Sequence, residues 1–157
     1  FSIEIKEENH WFRGIWYKNI KTRNNKMKKK ILIVASNYYN DLTNNLISNA
    51  QNILRKKKIF YKTIKAPGTF EIPFLISKNI KKYDGFIALG CVIKGETPHF
   101  DFICISTFNA LVNLTINSKK PISNGIITCL NMSQAKKRSK TKGKEAANAV
   151  LDILSDG

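Results

Sequence analysis

Between residues 31 and 155 short apolar runs alternate with longer amphipathic stretches, and this alternation constrains the fold more than any other feature of the chain. Ile31-Leu-Ile-Val-Ala-Ser36 reads as a short buried strand. Residues 41–57 set Leu42, Leu46, Ala50, Ile53 and Leu54 on one helical stripe. They close on Arg55-Lys-Lys-Lys58, cations suited to the negative end of a helix. Residues 59–65 are rich in β-formers but more polar, which suits a sheet edge. Pro67-Gly68 is a turn, and 70–81 a second helix. Residues 84–93 read as a central strand, 98–118 as a third helix, 122–129 as a fourth strand and 132–155 as one last helix. Strands and helices joined by short loops specify a parallel sheet covered on both faces. Such sheets hold ligands at the carboxyl ends of their strands. A site is therefore expected among the loops at 36–41, 66–71, 94–99 and 129–133.

The 157 residues suffice for one domain. Residues 1–26 carry two Trp and several charges without a period of 3.6 or 2. We read them as an extension of unknown role outside a domain at 27–157, with Met27-Lys-Lys-Lys30 as a natural start. They show no apolar core of a signal peptide, and Glu4, Glu7 and Glu8 beside a single Ser argue against a transit peptide. No apolar run approaches the ~20 residues of a bilayer span, so no membrane association is expected. Cys91, Cys104 and Cys129 are too scattered for a disulfide framework and suggest a reducing, cytoplasmic compartment. With His10 and His99 the only histidines and no Cys-x-x-Cys, no structural zinc site is expected.

Charge asks for a separate reading. Lys and Arg number 27 against 11 acidic residues, a net +16. A polyanion such as nucleic acid is one reading. Lys, Asn and Ile crowd every segment, however, as AT-rich coding would produce, and the basic runs are not gathered on one element. A surface that steers small phosphorylated substrates lies between the two.

Four loops carry residues capable of chemistry. Gly90-Cys-Val-Ile-Lys-Gly-Glu-Thr97 nearly matches a P-loop, but Glu96 stands where the lysine must be, so no nucleotide loop is read there. Thr97 suits an N-cap and Pro98 a first helical position. The free N–H groups of a helix beginning there, with 95–97, make either an anion site or a plain cap. His99, in its first turn, is either a satisfied surface histidine or a proton donor and acceptor over that site. Glu71, near the start of the second helix, suits the dipole and equally suits a polyol. Tyr38 and Tyr39 either stack on a planar ligand or pack. Arg138, Lys140, Lys142 and Lys144 read by default as a solvated helix face, although Arg is well suited to phosphate.

Together these segments resemble lumazine synthases over residues 31 to 155. The resemblance rests on Ser36-Asn-Tyr-Tyr-Asn-Asp-Leu42, Pro67-Gly-Thr-Phe-Glu-Ile-Pro73 and Ala88-Leu-Gly-Cys-Val-Ile-Lys-Gly-Glu-Thr-Pro-His-Phe-Asp101. Asn124-Gly-Ile-Ile-Thr128, Asn131, Gln134-Ala135, Arg138 and Lys142-Gly-Lys-Glu-Ala-Ala147 extend it. It implies a flavodoxin-like three-layer α/β sandwich around a four-stranded parallel sheet of order 2-1-3-4. It implies condensation of 5-amino-6-(D-ribitylamino)uracil with 3,4-dihydroxy-2-butanone 4-phosphate, giving 6,7-dimethyl-8-ribityllumazine, phosphate and water, the penultimate step of riboflavin biosynthesis. No metal or organic cofactor is implied.

By position, the resemblance gives Tyr38, Thr69, Phe70, Glu71, Cys91, Val92, Ile93 and Asn124 to the pyrimidine and its ribityl chain. Asn124 stands where many members have a stacking Phe. Glu96, Thr97, Arg138 and Lys142 go to phosphate, and His99 to proton transfer. It also implies a pentamer, or a larger shell of pentamers, with sites between subunits and with Asn124 and Arg138 coming from the neighbour. A nucleic-acid binder and a catalytically silent assembly subunit are the competing readings of the same fold.

Overall fold

The computed structural model describes residues 28–156, so the reading of 1–26 as an extension lies outside the described residues. The elements run β1 (Lys30–Ser36), α1 (Asn40–Lys56), β2 (Phe60–Ala66), α2 (Ile72–Asn79), β3 (Gly85–Ile93), α3 (His99–Ser118), β4 (Ile122–Cys129), α4 (Met132–Arg138) and α5 (Lys142–Asp156). All four strands pair in parallel, in the order β2-β1-β3-β4. The expected sheet order and the expected edge position of residues 59–65 are borne out.

Alternation along the inner strands builds two cores. Ile31, Ile33 and Ala35 of β1 and Ile87, Leu89 and Cys91 of β3 point to one face. There they meet Leu42, Leu46, Ala50 and Leu54 of α1 and Ala146, Ala147 and Val150 of α5. Leu32, Val34, Phe86 and Ala88 point to the other face, against Ile72 and Ile76 of α2 and Leu111 of α3. With both faces of β1 and β3 buried, near-continuous apolar runs are what these strands require.

The structure corrects three expectations. Residues 132–155 are two helices, α4 and α5, separated by an elbow at 139–141. The cause is tertiary. Asn49 of α1 donates to the carbonyls of Ser139 (3.3 Å) and Lys140 (2.7 Å). Gly143 lies so close to α1 that a Cβ there would stand 2.0 Å from the carbonyl oxygen of Leu46. Second, Thr97 is not the cap of α3: Pro98 holds that position, with no side-chain cap, and its carbonyl accepts from Asp101 and Phe102 N–H. Pro98 has no N–H to lose there, and its fixed φ of −69° suits the entry.

The third correction concerns α3 itself. At 20 residues it is, by length and composition alone, long and apolar enough to cross a membrane, contrary to the reading that no such segment exists. Asn109, Asn113 and Asn117 dilute its apolar residues along the sequence. Its Cys104, Thr107 and Leu111 are buried on the domain side. Phe102, Ile105, Val112 and Ile116 stay exposed, and at 100° per residue they fall on one stripe opposite the buried face.

Candidate active site

β3 outruns β1. Their pairing ends at Ala35↔Leu89, while β3 continues to Ile93 against β4 alone. After Ser36 the chain turns away from the sheet. Asn37 N–H donates to the Ala66 carbonyl (2.8 Å), and Tyr38 N–H to Ser36 Oγ (3.3 Å). One flank of Cys91-Val92-Ile93 is thereby left without a strand neighbour, and three loops close around it. The result is an open cavity of about 450 Å³ lined by Tyr38, Tyr39, Gly68–Glu71, Cys91–Ile93, His99 and Ile103.

Each lining group has a local cause. Thr69 is buried because Gly90 leaves it room: a Cβ on Gly90 would come within 3.1 Å of Thr69 Oγ1 and 3.2 Å of Ser36 Cβ. The Thr69 carbonyl accepts from Ile72 N–H (3.2 Å), which starts α2 and fixes Phe70 and Glu71 at the rim. Glu71 occupies the N-cap position of α2 without a side-chain cap bond. Its Oε2 lies over Gly68, 2.9 Å from where a Cβ would stand. That carboxylate is an acceptor turned to the cavity mouth. Tyr38 and Tyr39 meet edge to face at 5.0 Å, with Tyr38 74% exposed and Tyr39 packed on the core. Burial pushes the Tyr39 phenol above its ordinary pKa, and its neighbours Tyr38 and Cys91 add to the rise.

Cys91 is a wall rather than a nucleophile. Burial raises its thiol to about 12, with Cys129 contributing and Arg138 opposing. At neutral pH the thiolate is absent, and the thiolate is the reactive form. His99 begins α3 and is exposed at the cavity, the one imidazole that lines it. Glu96 and Thr97 lie just before it in the exposed loop 94–98, whose start is anchored by Lys94 N–H on the Cys129 carbonyl (2.9 Å). They do not line the cavity.

Of the residues named from sequence, the cavity gathers Tyr38, Thr69, Phe70, Glu71, Cys91, Val92, Ile93 and His99. It does not gather Asn124, Arg138 or Lys142. Asn124 is exposed on β4, its Oδ1 accepting from Ile126 N–H (3.0 Å). Arg138 ends α4 and donates from Nη1 to the Thr128 carbonyl (2.8 Å), still close enough to Cys91 to favour its charged form. Lys142 pairs with Glu145 at 3.1 Å on α5, and that contact holds the Glu145 carboxyl below its usual range. Sequence reasoning left Tyr39 undecided and missed Ile103. Ile103 lies four residues after His99, on the same face of a helix, and that spacing is the signal that finds it.

The fold and cavity define a class: a parallel α/β domain with one imidazole, one carboxylate and apolar surface lining an open cavity at its strand ends. The model of the 6,7-dimethyl-8-ribityllumazine synthase family matches residues 28–156, and the chain belongs to that family. It is similar to the 6,7-dimethyl-8-ribityllumazine synthase of Bartonella bacilliformis, 39% identical over 133 residues, covering 80% of this chain and 88% of that protein. It is 40% identical over 138 residues to that of Bartonella tribocorum, covering 82% and 91%. Against the Agrobacterium fabrum protein of the same name it is 37% identical over 138 residues, covering 81% and 93%.

Proposed function

We propose that this chain performs the condensation that names its family: 5-amino-6-(D-ribitylamino)uracil and 3,4-dihydroxy-2-butanone 4-phosphate give 6,7-dimethyl-8-ribityllumazine, phosphate and water. It is a transferase of riboflavin biosynthesis acting on small-molecule substrates. The observation that carries the reading is the convergence of His99, Glu71, Thr69 and Cys91–Ile93 on one cavity in a chain of this family. The nucleic-acid binder and the silent assembly subunit are not favoured.

In this reading the ring lies along Cys91–Ile93 under Tyr38, and the ribityl hydroxyls meet Glu71 and the turn at Thr69 and Phe70. The pyrimidine 5-amino group attacks the ketone to form an imine with loss of water, phosphate is eliminated to leave a second carbonyl, and the ribityl-bearing nitrogen closes the ring on that carbonyl with loss of a further water. His99 moves the protons, because one imidazole carries both a nitrogen that donates and a nitrogen that accepts. Phosphate rests on the loop at Glu96 and Thr97 and on the first N–H groups of α3, with Arg138 and Lys142 supplying positive charge.

Arg138, Lys142 and Asn124 come from a second copy in this reading, within a homo-pentamer or a shell of pentamers. Two features support it. The three residues stay outside the cavity of their own chain. The exposed stripe Phe102, Ile105, Val112 and Ile116 offers an apolar face of the kind that copies bury against one another. The cytoplasm is the proposed compartment, resting on three buried, unpaired cysteines. Mixing the protein with both substrates tests the function: the lumazine chromophore and inorganic phosphate should rise together. Absence of the chromophore from a folded sample would sink the reading.

A further inference from the structure

The elbow between α4 and α5 has no helical partner for the carbonyls of Ser139 and Lys140, since the ends of helices leave such groups orphaned. Both are taken by one side chain. Asn49, in the middle of α1, donates its Nδ2 to Ser139 O at 3.3 Å and to Lys140 O at 2.7 Å, across 90 and 91 residues of sequence. Ser139 is fully buried and turns its own hydroxyl back onto the Lys136 carbonyl (3.0 Å). On the far side of the elbow, Gly143 is seated against the Leu46 backbone. The residue immediately before this clamp is Arg138, whose carbonyl accepts from Thr141 N–H (3.3 Å) and whose side chain makes one hydrogen bond among the described residues, to Thr128 O near the end of β4. Its other guanidinium N–H groups make no hydrogen bond to the described residues.

We infer that Asn49 is a positioning residue for the phosphate-binding arginine: it acts on the phosphorylated substrate through Arg138 without touching that substrate. The inference rests on the phosphate role proposed for Arg138. An arginine on a flexible stem is a good phosphate ligand only if its main chain is held, because planar, directional contacts lose strength with small displacements. The main chain at 139–141 is turned locally by bonds from Ser139, Lys140 and Thr141 N–H to the Ala135, Lys137 and Arg138 carbonyls (2.9, 3.4 and 3.3 Å), which fix its shape but not its seat on the domain. Asn49 supplies that seat, tying the two outward carbonyls to a long, core-anchored helix. Being partly exposed itself, Asn49 can be changed without opening the core.

The test is a double-mutant cycle on the intact protein with Asn49→Ala, Arg138→Ala and the pair, supplemented by Asn49→Asp. Aspartate keeps the shape but presents only acceptors to the two carbonyls, so it must fail as alanine does. The readouts are KM for each substrate, kcat, and the inhibition constant of inorganic phosphate. Loss of two neutral hydrogen bonds should raise KM for the butanone phosphate and the phosphate inhibition constant by about 2- to 10-fold. The pyrimidine KM should stay near wild type, while the melting temperature falls by several degrees because both bonds are already made in the free protein. Adding Asn49→Ala to Arg138→Ala should then change neither phosphate constant further. Additive losses in the cycle, an equal change in both KM values, or wild-type constants in Asn49→Asp would overturn the inference while leaving the lumazine synthase reading intact. If Arg138→Ala itself leaves the phosphate constants unchanged, the inference falls together with that arginine's assignment. Failure of the wild-type protein to form lumazine is the separate result that removes the whole reading.

Discussion

Two walls of the strand-end region behave differently. The wall built from the loops after β1, β2 and β3 is complete within one chain and lines a cavity from Tyr38 to Ile103. The wall built from β4, α4 and α5 carries Asn124, Arg138 and Lys142, and none of the three reaches that cavity. The first combines an imidazole, a carboxylate and apolar surface, the needs of a sugar-bearing ring and of proton transfer. The second is basic, with Lys136, Lys137, Arg138, Lys140, Lys142 and Lys144 close together in sequence. The cavity and the basic cluster thus lie on different parts of the chain, the division that the proposed sharing of a site between copies would use.

The largest effect expected from breaking the first wall is at His99. His99→Ala should lower turnover by roughly 10²–10⁴ in a folded protein, the usual worth of a positioned acid–base group. Steady-state rates at saturating substrate check it. On the second wall, Arg138→Ala should raise KM for the phosphorylated substrate by roughly 10- to 100-fold, the equivalent of a charged hydrogen bond, and leave the pyrimidine KM near normal. The sharing of sites is tested by combining the two. Refolding equal amounts of His99→Ala and Arg138→Ala chains together should rebuild about a quarter of the sites, since each needs one intact half from each of two neighbours. No recovery in the mixed assembly would place both residues in one chain's site.

A smaller effect belongs to the elbow. Gly143→Ala forces a methyl group into the Leu46 backbone and should cost ~1–3 kcal/mol of stability, the range for overpacking, read by denaturant titration. An unchanged midpoint would mean that α1 and α5 separate freely. The smallest is at Cys91. Because burial raises its thiol, the neutral form persists through the ordinary range, and thiolate accumulates only as pH climbs towards about 12. Alkylation of Cys91 in the folded protein should therefore stay slow and climb by about tenfold per pH unit from pH 7 to 9 without levelling off. A plateau near pH 9 would show that the wall opens to solvent.

The first wall was legible in the sequence and the second only partly, for physical reasons. Short-range signals specify β1, β2 and β3: unbroken apolar runs, a polar edge strand, and turn residues at Pro67-Gly68. Their loops follow directly, and so do the residues that reach the cavity, apart from Tyr39 and Ile103. The elbow at 139–141 leaves no such trace. Ala135, Ala146, Ala147 and Val150 keep an apolar pattern compatible with one long helix. The break is enforced by Asn49 and by the Leu46 backbone, some 90 residues away, where no local window looks. Thr97 misled for a related reason: it has the side chain of a cap, but Pro98 already fixes the entry to α3. The influence of the Arg138 charge on Cys91 likewise depends on the β3–β4 register rather than on any spacing along the chain.

The stripe on α3 has a consequence for the making of the protein. It lies uncovered from the moment the helix docks on the sheet, with Phe102 and Ile116 each 66% exposed. Under the proposed assembly, a lone chain then faces two fates that both depend on how crowded its surroundings are. Meeting partners in the correct register hides the stripe; meeting half-folded chains by the same surface leads to aggregates, and parallel sheets give ample time for that because their long crossovers are slow to close. Renaturation yield is therefore set by a contest between two concentration-dependent encounters. Dilution starves productive assembly, excess feeds the unproductive branch, and recovery peaks between them.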